Sequence, residues 1–144
     1  MQKEFLQIGK VVPNIGLTDK NGNSFNLFNK LENKPTIIIV YSSWNTLAQE
    51  QIKIFDNVAT QFGNQYNYIP ISTMEPDKTN RTYVKRGEYI LETYKPDDQF
   101  FEDYMIISLP HFFILDENKK LIGNIVGPQS EEKLIAEIGQ ITGK

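Results

Sequence analysis

The chain has 144 residues, 40% of them hydrophobic and 23% charged, which is the composition of an ordinary globular protein able to bury a core. Its net charge of −3 supplies no general attraction to nucleic acid or to an anionic membrane. The chain has no cysteine, which excludes disulfides, thiolate nucleophiles and cysteine-held zinc or iron–sulfur clusters formed within it.

In chain order, MQKEFLQIGK lacks the apolar core of a signal peptide, and no apolar run of membrane-spanning length follows, so no membrane insertion by this chain is expected. Ile15 to Thr18 and Ser24 to Phe28 read as an opening hairpin. Asp19 to Asn23 supplies its turn, with Gly22 free to take positive φ. Thr36 to Val40, extended by Tyr41, is a β-branched run without polar alternation, as in a strand buried on both faces. After YSSWNT, the residues Ala48, Ile52, Phe55, Ala59 and Phe62 draw one apolar stripe at helical spacing, and Gly63 is a natural stop. Tyr66 to Ser72 alternates like a strand, and Pro70 within it favours an edge position or a local irregularity. A helix is expected over Lys78 to Arg86, where Lys78, Arg81 and Lys85 read as a solvated basic face. A short extended piece is expected near Tyr89 to Thr93 and a brief helix over Asp98 to Tyr104. Residues 111–116 and 120–127 read as two strands joined by a turn at Glu117 to Lys119. Ser130 caps a last helix, Glu131 and Glu132 suit its first turn, and Leu134, Ile135, Ile138 and Ile141 form its buried face. Neither repeat nor linker interrupts the chain, so residues 1–144 are expected to form a single domain. A βαβ unit followed by an antiparallel ββα describes an α/β sandwich around a mixed sheet.

Three segments carry a family resemblance. IGKVVPNIGLTDKNGNSFNL is similar to the opening hairpin of the thioredoxin-like TlpA/ResA group of thiol–disulfide oxidoreductases, which is related to the AhpC/TSA proteins. TIIIVYSSWNTLAQEQ resembles that group's first central strand and active-site helix, with Trp44 at the family's tryptophan. SLPHFFILDENKKLI resembles the segment where a cis-proline precedes a strand. The resemblance implies a thioredoxin-like three-layer sandwich: a central mixed β-sheet, helices on both faces and an added N-terminal β-hairpin. It also implies that Pro110 is the cis-proline, that the backbone of Leu109 pairs with a substrate strand, and that Glu75 lies where an acidic residue tunes the cysteine pair. By the same analogy, the setting is periplasmic or extracytoplasmic. The departure lies at the reactive atoms. The two cysteine positions hold Asn45 and Ala48, and neither an amide nor a methyl group performs thiol–disulfide exchange.

Several residues of this region support two readings. Asn45 is either the N-cap of the helix or a binding residue, and Thr46 competes for the cap. Ala48 needs only packing to explain it. Trp44 either packs on the sheet or forms an exposed ledge beside a groove. Pro110 serves the fold alone, or an edge that accepts an extended peptide. His111 is the only histidine and so a poor metal site; as a general base near Glu75 it would lack a nucleophile. Asp97, Asp98, Glu102 and Asp103 read as a solvated, helix-capping cluster.

The expected function is a redox-inactive thioredoxin-fold domain that binds a protein or peptide partner or acts as a structural module. Its candidate surface comprises Trp44, Asn45, Thr46, Leu47, Ala48 and Glu75 together with Leu109, Pro110 and His111. No catalytic residue, cofactor or metal is expected, and the reading leans away from an enzyme. The alternative is a thiol–disulfide oxidoreductase whose cysteines at positions 45 and 48 have been replaced in this chain.

Overall fold

The computed structural model describes residues 6–19, 21–42, 46–72, 93–106 and 108–143, with side chains omitted for 46–49. Its centre is β3 (Thr36–Tyr41), the TIIIVY run, in which every residue is buried. Parallel pairing with β4 (Asn67–Ser72) sets Ile39 against Pro70. On its other side β3 pairs antiparallel with β6 (His111–Leu115), which in turn pairs antiparallel with β7 (Leu121–Val126). The mixed sheet therefore has the order β4-β3-β6-β7.

Pro70 stands on an edge strand, as its missing donor demands. Its carbonyl accepts from Tyr94 N at 2.9 Å on the side away from β3. The proline nitrogen faces that same outer side, so no bond to β3 is lost.

A second, antiparallel sheet has the order β2-β1-β5. It contains the expected hairpin, β1 (Gly16–Thr18) and β2 (Ser24–Asn26), joined by β5 (Lys95–Pro96). In the hairpin turn, Asp19 Oδ1 accepts from the backbone N–H groups of Asn21 and Asn23, both at 2.9 Å, and Gly22 takes φ +85. Phe28 was expected to extend β2 but lies in a 3-10 turn over Leu27–Lys30. Its N–H is held by the Asn14 side chain at 3.0 Å, which draws the chain out of the ladder.

Alternation along β3 and β6 divides the core. Ile37, Ile39, Tyr41, Phe112 and Ile114 face α1 (Thr46–Phe62) and the last long helix, packing with Ile52, Phe55, Val58, Leu134 and Ile138. Ile38, Val40, Phe113 and Leu115 face the antiparallel sheet and the brief helix α2 (Phe100–Asp103), packing with Ile15, Leu17, Phe100 and Tyr104. Helix α1 stops where expected: Gly63 follows Phe62 at φ +59. The last helix, α3 (Glu131–Thr142), begins with the Ser130 side chain accepting from Lys133 N. It lies so close to β7 that a Cβ on Gly123 would sit 2.9 Å from Ile141 Cδ1 and 3.1 Å from Ile114 Cβ.

The helix expected over Lys78 to Arg86 lies outside the described residues, as does all but Thr93 of the extended piece expected near Tyr89 to Thr93. Among the described residues, no helix is long and apolar enough to cross a membrane.

Candidate functional site

The sheet brings the C-terminal end of β3, the start of α1, the start of β6 and the end of β7 to one pole. Of the candidate residues there, Trp44, Asn45 and Glu75 lie outside the described residues. Thr46, Leu47 and Ala48 form the first turn of α1, where a helix has N–H groups without intrahelical partners and the positive end of its dipole.

Leu109, Pro110 and His111 lie on the neighbouring strand. The Leu109–Pro110 peptide bond is cis. Continuing the register of Val40 with His111 sets Leu109 opposite Ser42. Pro110 is buried and its carbonyl accepts from Gly127 N at 2.9 Å, whereas the backbone of half-buried Leu109 has no partner among the described residues. That unpaired N–H and C=O are what strand addition by an extended chain requires.

His111 is 3% exposed, and its ring stacks on Phe113 with centroids 4.1 Å apart. Its Nε2 is hydrogen-bonded to Asn124 Oδ1 on β7. An amide oxygen only accepts, so Nε2 carries the proton and Nδ1 keeps a bare lone pair. Nδ1 is buried without a hydrogen-bond partner. Burial pushes the imidazole below its ordinary value of 6.5, against the opposing pull of the Asn124 bond. His111 was expected on the candidate binding surface. The structure instead buries it in the sheet and assigns its Nε2 to an asparagine thirteen positions away.

Two further buried atoms at this pole lack partners, Ser42 Oγ and Gln129 Oε1. Neither residue was singled out in the sequence, although Ser42 ends the conspicuous strand. Gln129 otherwise fastens the pole: Gln51 Nε2 on α1 donates to its carbonyl, and its N–H donates to Gln51 Oε1, both at 2.9 Å. The acidic cluster is more structural than expected. Asp97 Oδ2 accepts from Gly16 N at 2.8 Å and Oδ1 from Gln99 N at 3.2 Å, tying α2 to the hairpin sheet. Among the described residues, no group of three His, Cys, Asp or Glu side chains is placed to hold a metal ion.

A mixed β4-β3-β6-β7 sheet, a helix starting at the end of its central strand and a cis X-Pro bond beside that start define a thioredoxin-like α/β protein. The fold is shared with a thiol:disulfide interchange protein of Chlorobium tepidum, with TM-score 0.78, 16% identity and coverage of 96% of this chain and 99% of that one. A thiol:disulfide interchange protein from Bacteroides sp. gives TM-score 0.80, 15% identity and coverage of 96% and 92%. The profile of the AhpC/TSA family matches residues 8–123, and the chain belongs to that family. Within it the similarity runs to ResA-type proteins: thiol-disulfide oxidoreductase ResA of Bacillus cereus is 25% identical over 146 residues, spanning 97% of this chain and 82% of ResA.

Proposed function

We propose that this chain is a redox-inactive thioredoxin-fold module that holds an extended peptide or protein segment at the pole where β3 meets α1. The observation that carries the reading is the absence of any cysteine from a chain of this oxidoreductase family. Thiol–disulfide exchange needs a thiolate to attack and a second to resolve the mixed disulfide. Asn45 and Ala48, which occupy the family's cysteine positions, supply neither.

What supports binding is the retained frame. The cis Leu109–Pro110 bond, the Leu109 backbone, unpartnered among the described residues, and the start of α1 lie together, and a peptide strand placed against Leu109 would supply it with hydrogen bonds. In this reading Trp44 provides an apolar ledge, Thr46 and Leu47 line the approach, and Glu75 borders it. His111 acts from beneath, through packing, rather than by touching the partner.

The test uses a library of extended peptides screened against the purified chain, with Trp44→Ala and Leu109→Pro as variants. Binding lost in both variants, with the folded signal kept, is the expected result. A bound peptide indifferent to both substitutions would place the binding surface elsewhere.

A further inference from the structure

Asn21 is the only asparagine in the chain that glycine follows. An asparagine loses its side-chain amide when the backbone nitrogen of the next residue attacks the side-chain carbonyl carbon. A following residue without a Cβ leaves that approach open. The turn of the opening hairpin presents this pair to solvent, with Asn21, Gly22 and Asn23 all exposed. Nothing lies within 4 Å of where a Cβ on Gly22 would sit. The side chain of Asn21 makes no hydrogen bond among the described residues.

Asn23, two positions on, is held. Its Nδ2 donates to Asp19 Oδ2 at 3.4 Å, and the residue after it, Ser24, already lies in β2 opposite Thr18. Asn21 is tethered only through its backbone: its N–H, like that of Asn23, donates to Asp19 Oδ1 at 2.9 Å. One bond stands against ring closure. Gly22 N donates to Asp19 O at 3.1 Å, and the nitrogen must leave that oxygen before it can attack. The strands behind this turn are three residues each and β2 is an edge strand, so local opening here costs little.

We propose that Asn21–Gly22 is a deamidation site of the folded chain, and that the bonds Asp19 makes across the turn set its pace. The Gly22 nitrogen gives its proton to solvent base and bonds to Cγ of Asn21. The Cγ–Nδ2 bond breaks, and Nδ2 takes a proton from water and leaves as ammonia, which closes a succinimide ring. Water then opens the ring at either carbonyl. Cleavage of the new bond gives aspartate; cleavage of the original peptide bond gives isoaspartate. No oxidant, reductant or cofactor enters. Either product sets a second negative charge near the Asp19 carboxylate, which the Asn23 backbone N–H holds below its ordinary pKa. Isoaspartate also adds a methylene to the main chain inside the turn. That disturbs both bonds closing it, Gly22 N to Asp19 O and Asp19 N to Asn23 O. The central sheet, to which β1 and β2 do not belong, keeps its pairing.

Incubation of the purified chain at mildly alkaline pH tests the assignment, with samples followed by ion exchange and by peptide mapping with mass spectrometry. A form with one more negative charge should accumulate with time and map to residue 21, isoaspartate exceeding aspartate. Asn21→Gln should abolish it, because the longer side chain would have to close a larger and slower-forming ring. Asp19→Ala releases the turn and should speed the conversion several-fold, with an unchanged far-ultraviolet circular dichroism spectrum. If Asp19→Ala fails to fold, a synthetic peptide of residues 15–28 supplies the unclamped rate, which should likewise exceed that of the folded chain several-fold. A folded chain that stays unmodified at residue 21 while the peptide converts would overturn the proposal. So would a charge mapped instead to another asparagine, or a rate that release of the turn leaves unchanged.

Discussion

The two ends of the central sheet handle their buried polar groups in opposite ways. At the end where β3 and β4 begin, Asn67 accepts from Glu32 N and donates to Glu32 O, Lys34 O and Thr36 Oγ1, at 3.0 to 3.2 Å. Its own N–H donates to Pro35 O, so one side chain and its backbone join the two parallel strands to the loop before them. At the other end, Ser42 Oγ, His111 Nδ1 and Gln129 Oε1 are buried with no partner. Those three are all the unpartnered buried side-chain atoms found among the described residues, and all lie where a thioredoxin-like protein keeps its site. Buried polar groups are normally satisfied, and the exceptions cluster where a structure serves something besides stability. One end satisfies the side chain of Asn67; the other leaves three buried side-chain atoms without partners.

Substitutions should separate the two ends, the largest effect coming at the satisfied one. Asn67→Ala removes one buried and three partly buried side-chain hydrogen bonds at once and should cost about 3 kcal/mol. Urea denaturation would read this as a lower midpoint with an unchanged slope. A loss within error of zero would show that the Asn67 network contributes no cohesion.

At the site end, His111 predicts a pH dependence. Its folded value is depressed below 6.5, so under mild acid the unfolded chain binds the proton more readily than the folded one. Its contribution is therefore intact above 6.5, declines as pH falls from there toward the depressed folded value, and levels off below it. Denaturation midpoints of wild type and His111→Gln across that range should converge as pH falls. Parallel curves would remove the histidine from the explanation.

Ser42→Ala should have the smallest effect. Its hydroxyl is buried without a partner, so deletion leaves no orphan and removes a desolvation penalty. The expected change lies between none and a stabilisation of about 1 kcal/mol. A loss as large as that of Asn67→Ala would erase the contrast between the ends.

Local chemistry was readable from the sequence wherever one residue type decides the matter. TIIIV fitted a doubly buried strand, Pro70 favoured an edge or a local irregularity, and Gly22, Gly63 and Ser130 marked a turn, a stop and a cap. The links that distinguish the two poles were not readable, because each joins residues far apart in the chain. Asn67 finds Glu32 and Lys34 only once β3 and β4 pair. Gln51 meets Gln129 across 78 positions. His111 meets Asn124 only through the register of β6 with β7, so the burial of a lone histidine beside a proline was not readable. Of the candidate residues, the structure brings Leu109, Pro110 and the start of α1 to the same pole.

The proposed function holds that this pole keeps the frame of the family's site without its two sulfur atoms. Insulin reduction in the presence of a dithiol, measured for wild type and for the double variant Asn45→Cys/Ala48→Cys, tests this most directly. The account predicts that wild type stays at the uncatalysed rate and that the double variant gains clear catalysis. Turnover by wild type, or a correctly folded double variant that remains inert, would contradict it.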